Sequence, residues 1–81
     1  MDVIIERACG LDVHKDNITG CIITPEGKEI KTFSTKTIFL IELVDWAKAH
    51  RCTHVAMEST SVYWKPIVNL LEAEDIEFMV V

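Results

Sequence analysis

The chain has 81 residues, of which 49% are hydrophobic, and it carries a net charge of −5. This length fits one small domain, which buries only about 60–65% of the surface that its unfolded chain exposes. The hydrophobic content excludes a disordered composition. The acidic balance excludes tight non-specific nucleic-acid binding by this domain alone, because phosphate affinity depends on Lys and Arg.

Sequence features favour a cytoplasmic protein. No apolar run is long enough to span a membrane, and residues 1–7 lack the basic start of a signal peptide. Cys9, Cys21 and Cys52 are an odd number without metal-ligand spacing. We therefore expect them to be reduced, buried thiols.

Hydrophobic periodicity predicts five strands and two helices. In chain order these are strands over residues 3–13, 18–24 and 29–34, a helix over 38–50, a strand over 53–58, a helix over 59–74 and a strand over 76–81. The second strand is apolar on both faces. Asp16-Asn17 predicts the first turn, and the segment from Pro25 to Lys28 predicts a hairpin with Gly27 at positive φ.

The two predicted helices differ in how clearly they begin. The first has Thr35 or Thr37 as a candidate cap. Its inward positions recur at helical spacing and are Leu40, Ile41, Leu43, Val44 and Ala47. Trp46 on this helix is predicted to be structural or to cover an edge of the sheet. The second has Val62, Ile67, Leu70 and Leu71 as inward positions. Pro66 indicates that this helix is kinked or begins late.

The order β-β-β-α-β-α-β predicts a mixed α/β sheet. Three strands joined by short turns are antiparallel, and two right-handed helical crossovers add parallel strands. A five-stranded sheet with strand order 3-2-1-4-5 satisfies both conditions. This order places the first strand beside the fourth, and so brings Asp12 close to Glu58.

Asp12 and Glu58 are lone acids at the ends of two apolar segments. A carboxylate in such a place is costly unless it is paired, hydrogen-bonded or bound to a cation. By strand alternation, small residues lie below each acid on the same face, Gly10 in one strand and Ala56 in the other. This pattern predicts a metal site, against the alternative of two solvated acids at strand ends.

Two segments carry a resemblance to a known family. Residues 10–15, Gly-Leu-Asp-Val-His-Lys, and residues 56–64, Ala-Met-Glu-Ser-Thr-Ser-Val-Tyr-Trp, resemble the N-terminal signatures of IS110-type (DEDD) transposases. The resemblance covers essentially the whole chain, and the second segment is the more specific. It implies the N-terminal portion, over residues 1–81, of a catalytic domain with a RuvC-like, RNase H-like fold.

The resemblance also implies a chemistry and partners. Asp12 and Glu58 correspond to the first two of four metal-binding acids, with two aspartates beyond residue 81. Together the four would hold two Mg²⁺ (or Mn²⁺) ions for DNA cleavage and exchange of an insertion sequence, with Asp12 bridging the ions and Glu58 holding one. Full-length members also act with a structured guide RNA, and we expect a homo-oligomer. The fragment alone is expected to cleave poorly.

The same comparison shows two departures. The family usually has Gly where this chain has Ser61, and often has Gly where it has Arg51. A left-handed conformation at Arg51 would cost about 1 kcal/mol relative to Gly.

Residues beside the two acids have both a functional and a structural interpretation. His14 and Lys15 are candidate contacts to a scissile phosphate, or a solvated turn. Tyr63 and Trp64 are candidate stacking partners for a base, or core residues. Ser59 and Thr60 are predicted to cap the second helix and orient Glu58, without acting as nucleophiles.

Two other functions compete with the transposase hypothesis. The first is a non-catalytic interaction module or truncated remnant of the same fold. The apolar strand at the end of the chain favours a truncated domain, with an exposed sheet face that predicts self-association. The second is an actin-like kinase or ATPase, which needs a Gly-rich hairpin after the first acid. Only Gly20 and Gly27 lie in this hairpin, which argues against it.

Overall fold

The computed structural model of the protein describes residues 6–81. The first part of the predicted first strand, residues 3–5, lies outside the described residues. The elements in chain order are β1 Ala8–Val13, β2 Asn17–Thr24, β3 Gly27–Ser34, α1 Thr37–Ala49, β4 His54–Ser59, α2 Lys65–Ala73 and β5 Glu77–Val80. All seven predicted elements are therefore present in the predicted order.

The five strands form one mixed sheet with the order β3-β2-β1-β4-β5. β1 pairs antiparallel with β2, and β2 with β3, while β4 is parallel to both β1 and β5. The predicted strand order and the RNase H-like α/β fold are confirmed. The antiparallel hairpins follow from short turns and the parallel pairs follow from helical crossovers.

One face of the sheet forms the core together with both helices. Buried and exposed residues alternate along β1 and β4, as expected for strands with one covered face. The covered face holds Cys9, Leu11, Val13, Ile18, Ile22, Val55 and Met57, all buried. The other face carries no helix of the described chain, and Asp12, Ala56 and Glu58 are exposed on it. β2 is therefore not buried on both faces, since Ile23 is 57% exposed.

Helix α1 packs as predicted except at one inward position and at its cap. Leu40, Leu43, Val44 and Ala47 are buried, but Ile41 is 47% exposed. Trp46 is buried, in agreement with a structural role. The N-cap is Lys36, without a side-chain cap hydrogen bond, so the predicted Thr35 or Thr37 cap is wrong. Thr35 instead donates its hydroxyl to the carbonyl of Lys15 at 2.9 Å.

Helix α2 begins late, at Lys65, rather than at residue 59. Pro66 lies in the first turn, where its missing N–H costs no hydrogen bond. Residues 61–64 form a turn instead of helix. Val62 is therefore 53% exposed rather than inward, while Ile67 and Leu71 are buried and Leu70 packs against the core.

Left-handed backbone ends both helices. Arg51 has φ 57° and Asp75 has φ 55°, each directly after the C-cap residue. The amide of Cys52 donates to the Ala47 carbonyl, and that of Arg51 donates to the Lys48 carbonyl, the two bonds of a Schellman motif. Gly27 has φ 143° in the β2–β3 hairpin, as predicted.

Neither helix of the described residues has the length and apolarity to cross a bilayer.

Candidate functional site

Asp12 and Glu58 are direct neighbours in the sheet. The parallel register of β1 and β4 pairs Asp12 with Glu58, Gly10 with Ala56 and Ala8 with His54. Because side chains alternate along a strand, both carboxylates project from the open face. The strand adjacency expected from topology is thus present, and it places both acids at the carboxyl ends of two parallel strands.

Small residues leave a cleft beside the two acids. A Cβ at Gly10 would meet only the carbonyl oxygen of Cys21, at 4.0 Å. A cleft of about 430 Å³ has Asp12, Thr19, Cys21 and Glu58 among its lining residues. The side chain of Asp12 is 60% exposed in it. The carboxylates are therefore accessible to a ligand in solution.

Ser59 and Thr60 join the ends of β1 and β4 rather than capping α2. The amide of Thr60 donates to the carbonyl of Val13 at 3.1 Å, and its hydroxyl makes a longer contact of 3.5 Å with the same oxygen. The hydroxyl of Ser59 donates to the carbonyl of Thr60 at 3.2 Å. The N-cap of α2 is Trp64, so the predicted capping role is wrong. Both residues line a cleft of about 270 Å³ with Asp12 and Glu58.

His14 and Lys15 follow Asp12 in an exposed loop. Nε2 of His14 lies 3.2 Å from Oδ1 of Asp12. The amide of His14 donates to the carbonyl of Asn17 at 2.9 Å, which closes the β1–β2 turn. Lys15 and Asp16 are therefore the central residues of this turn, one position earlier than the predicted Asp16-Asn17. Both side chains remain available to contact a phosphate near the acids.

The two aromatic residues after Glu58 have different environments. Trp64 packs against the hydrophobic core, with Nζ of Lys65 6.0 Å from its ring centroid. Tyr63 is 38% exposed. Trp64 is therefore placed as a core residue, whereas the ring of Tyr63 lies at the surface.

The carboxylates fit an oxygen-preferring cation. Mg²⁺ binds through one or two carboxylates and keeps several waters, which an open, accessible pair allows. No group of three or more His, Cys, Asp or Glu side chains with metal-binding geometry occurs among residues 6–81. Within residues 6–81 the site thus has two carboxylates, Asp12 and Glu58, which can form part of a larger ligand set.

Cys9 and Cys52 do not extend this site. Burial raises the pKa of the Cys9 thiol to about 12, with smaller effects from Cys52 and Cys21. Burial also raises the pKa of Cys52. All three are free thiols, and Cys9 and Cys52 are buried as expected, whereas Cys21 is only partly buried. A thiol that stays protonated at neutral pH is a poor nucleophile and metal ligand.

The structure adds Thr19 and Cys21 to the surroundings of the acids. Thr19 is the antiparallel partner of Asp12, and Cys21 is the partner of Gly10. The interpretation of β2 as apolar on both faces obscured them. The signal that would have found them is the alternation of residues 19, 21 and 23 along β2, because a strand next to β1 must share its open face.

The strand order and the two helices define an RNase H-like α/β domain. Residues 9–81 match the family model for the DEDD transposases of IS110 type, described as transposase. The chain therefore belongs to the IS110-type DEDD transposase family.

A similarity to a curated protein agrees with this class. The chain is 30% identical over 64 residues to the pilin gene-inverting protein of Moraxella lacunata. The match covers 74% of this chain and 20% of that protein, so the chain spans about a fifth of its relative's length.

Proposed function

We propose that this chain supplies two carboxylates to a site for metal-dependent DNA strand cleavage and exchange in an insertion-sequence transposase. The observation that supports the proposal most directly is the parallel pairing of Asp12 with Glu58 on the open face. Mg²⁺ or Mn²⁺ ions, two in the complete ligand set, would supply an activated water and offset charge at the phosphate.

Each residue near the acids has a part in this proposal. Asp12 and Glu58 would hold the ions, Asp12 as the ligand that they share and Glu58 as a ligand of one. Thr60 holds the end of β4 against β1 through the Val13 carbonyl. Ser59, the sheet partner of Val13, donates its hydroxyl to the Thr60 carbonyl, and the two residues together fix the separation of the acids. Lys15 places positive charge beside the cleaved phosphate, and the exposed His14 offers it a ring N–H. This charge matters because the chain as a whole is acidic.

The proposal extends to partners of the complete protein. The DNA substrate comprises insertion-sequence ends and their target. A structured guide RNA and a homo-oligomeric assembly are part of the same proposal.

The competing proposal is a non-catalytic interaction module. The presence of only two acids in the site of residues 6–81 favours it for the fragment alone.

A paramagnetic ion tests the site in this chain. We expect Mn²⁺, added to the ¹⁵N-labelled protein, to broaden the amide signals of Asp12, Glu58 and their strand neighbours first. Asp12→Asn and Glu58→Gln should each weaken this broadening by about tenfold, because each removes one charged oxygen ligand. NMR titration with Mn²⁺ measures the effect.

Glu77→Gln is the matched control. Glu77 is an exposed acid of β5 on the open face of the sheet, and its Oε2 lies 3.3 Å from Nε2 of His54. It should leave the broadening unchanged. Broadening that is undiminished in the double variant Asp12→Asn/Glu58→Gln would exclude the metal site. In the full-length context, normal DNA cleavage by either single variant would exclude the catalytic role.

A further inference from the structure

A third cleft lies at the same end of the sheet as the acids, on its helical side. Its volume is about 230 Å³, below the roughly 300–1,000 Å³ typical of sites for drug-sized ligands. Its lining includes the buried side chains of Ile18 and Leu40 and the exposed side chains of Lys15, Val62 and Tyr63. We call it the Tyr63 cleft. Its size suits one flat ring system rather than a longer ligand.

The walls of the Tyr63 cleft are connected to the candidate metal site. One wall is the β1–β2 loop, in which Lys15 follows Asp12 by three residues, and Thr35 fixes it by donating to the Lys15 carbonyl at 2.9 Å. The other wall is the 61–64 turn, which follows Glu58. The amide of Thr60 joins the two segments by donating to Val13 at 3.1 Å. The cleft therefore lies at the same end of β1 and β4 as the two acids, on the other face of the sheet.

The charge around the Tyr63 cleft is unusual for this acidic chain. Among residues 6–81, no acidic residue lines it, although the chain has 13 Asp and Glu. Lys15 lines it, and the chain neighbours of its lining residues include Lys36 and Lys65 and one acid, Asp16. Both helices begin beside it, without a side-chain cap hydrogen bond or an acid in the first turn. These features together favour an anionic ligand.

The aromatic ring at the opening supplies a stacking surface. Tyr63 is 38% exposed, whereas the adjacent Trp64 is packed against the core. Ser61, with φ 56°, sets the turn that separates the two rings. An exposed ring next to an apolar cleft and a lysine is the arrangement by which proteins bind single-stranded nucleic acid.

We infer that the Tyr63 cleft binds one unpaired nucleobase of the DNA strand next to the cleaved phosphate, stacked on Tyr63, with Lys15 against the backbone. The inference rests on the proposed function, because it takes a DNA strand as the substrate. It adds that the strand is unpaired at this position. Trp64 has a structural part only.

Binding of a single-stranded pentadeoxynucleotide to the ¹⁵N-labelled chain in EDTA tests this inference. We expect chemical-shift changes at Lys15, Thr35, Val62 and Tyr63. Tyr63→Ala and Tyr63→Leu should each weaken binding about fivefold or more, while Tyr63→Phe stays within about twofold of the wild type. Tyr63→Leu retains apolar bulk, which separates loss of stacking from loss of folding.

Phe39→Ala is the matched control, because Phe39 is 39% exposed and does not line the cleft. It should bind as the wild type does. The inference is overturned if the oligonucleotide causes no shifts at the cleft, if Tyr63→Leu binds normally, or if orthophosphate or a blunt duplex of the same sequence gives the same shifts. Because EDTA removes divalent ions, these outcomes are independent of the Mn²⁺ titration at Asp12 and Glu58.

Discussion

Among residues 6–81, three residues other than Gly occupy left-handed backbone: Arg51, Ser61 and Asp75, with φ between 55° and 57°. Arg51 and Asp75 lie at the position after a helix where Gly is most favourable, since Gly has no Cβ to clash with the backbone. Arg51 and Ser61 are also the two departures from the Gly that the family usually has. Both departures therefore introduce local strain without touching the acids.

Arg51→Gly is expected to stabilise the domain by up to about 1 kcal/mol, because it removes the cost of a left-handed L-residue. Urea unfolding monitored by circular dichroism measures the free energy of unfolding. Glu42→Gly, at an exposed position inside α1, should instead destabilise by about 1 kcal/mol. Equal losses of stability in both variants would contradict the assignment of strain to Arg51.

At the scale of elements, Trp46 fixes α1 to the β2–β3 hairpin. Its Nε1 donates to Oε1 of Glu29 at 3.0 Å, and its ring lies 5.4 Å from that of Phe33. A Cβ at Gly20 would approach Cζ3 of Trp46 to 2.7 Å and Leu11 Cδ2 to 3.3 Å. Gly20 is therefore needed for close packing between helix and sheet, rather than for phosphate binding.

We expect Gly20→Ala to destabilise the protein by about 1–3 kcal/mol, because the added methyl overpacks against a ring that is held in place. Gly10→Ala is the matched control on the opposite face, where the nearest atom to a new Cβ is 4.0 Å away. Its free energy of unfolding should stay within about 0.5 kcal/mol of the wild type. Thermal unfolding of both variants measures the difference, and an equal cost would contradict the packing argument.

The opposite end of the sheet is held by Arg7. One guanidinium nitrogen donates to the carbonyl of His50 at the end of α1, at 3.0 Å, and another pairs with Glu26 in the β2–β3 turn, at 2.7 Å. The hydrogen bond from Arg7 is the main cause of the lowered pKa of Glu26. Arg7 and Glu26 form an ion pair with each other, so a structural role accounts for both charges at this end of the sheet.

The molecule as a whole has one covered and one open sheet face. Large apolar residues are exposed on the open face, with Ile23 at 57%, Ile30 at 62% and Met79 at 63%. Charged residues along β3, such as Lys28, Glu29 and Lys31, oppose pairing at that edge. Contact between copies is therefore expected through the open face rather than the β3 edge.

We predict concentration-dependent self-association of the chain, with a mass above 9.2 kDa at high concentration. Size-exclusion chromatography with light scattering measures it. Ile23→Thr should reduce the association, because it removes apolar surface from the open face. Ile38→Thr, which changes a 68% exposed residue of α1, should not. A monomer at all concentrations would refute the prediction.

The sequence by itself determined the element order, the strand order and the adjacency of Asp12 and Glu58. These follow from local periodicity and from the few ways in which short turns and helical crossovers connect strands. Only the tertiary structure decided that α2 begins at Lys65, that Val62 and Tyr63 are exposed while Trp64 is packed, and that Ser59 and Thr60 join strands instead of capping a helix. The physical reason is that these outcomes depend on which distant segments meet, and local sequence patterns do not encode that competition.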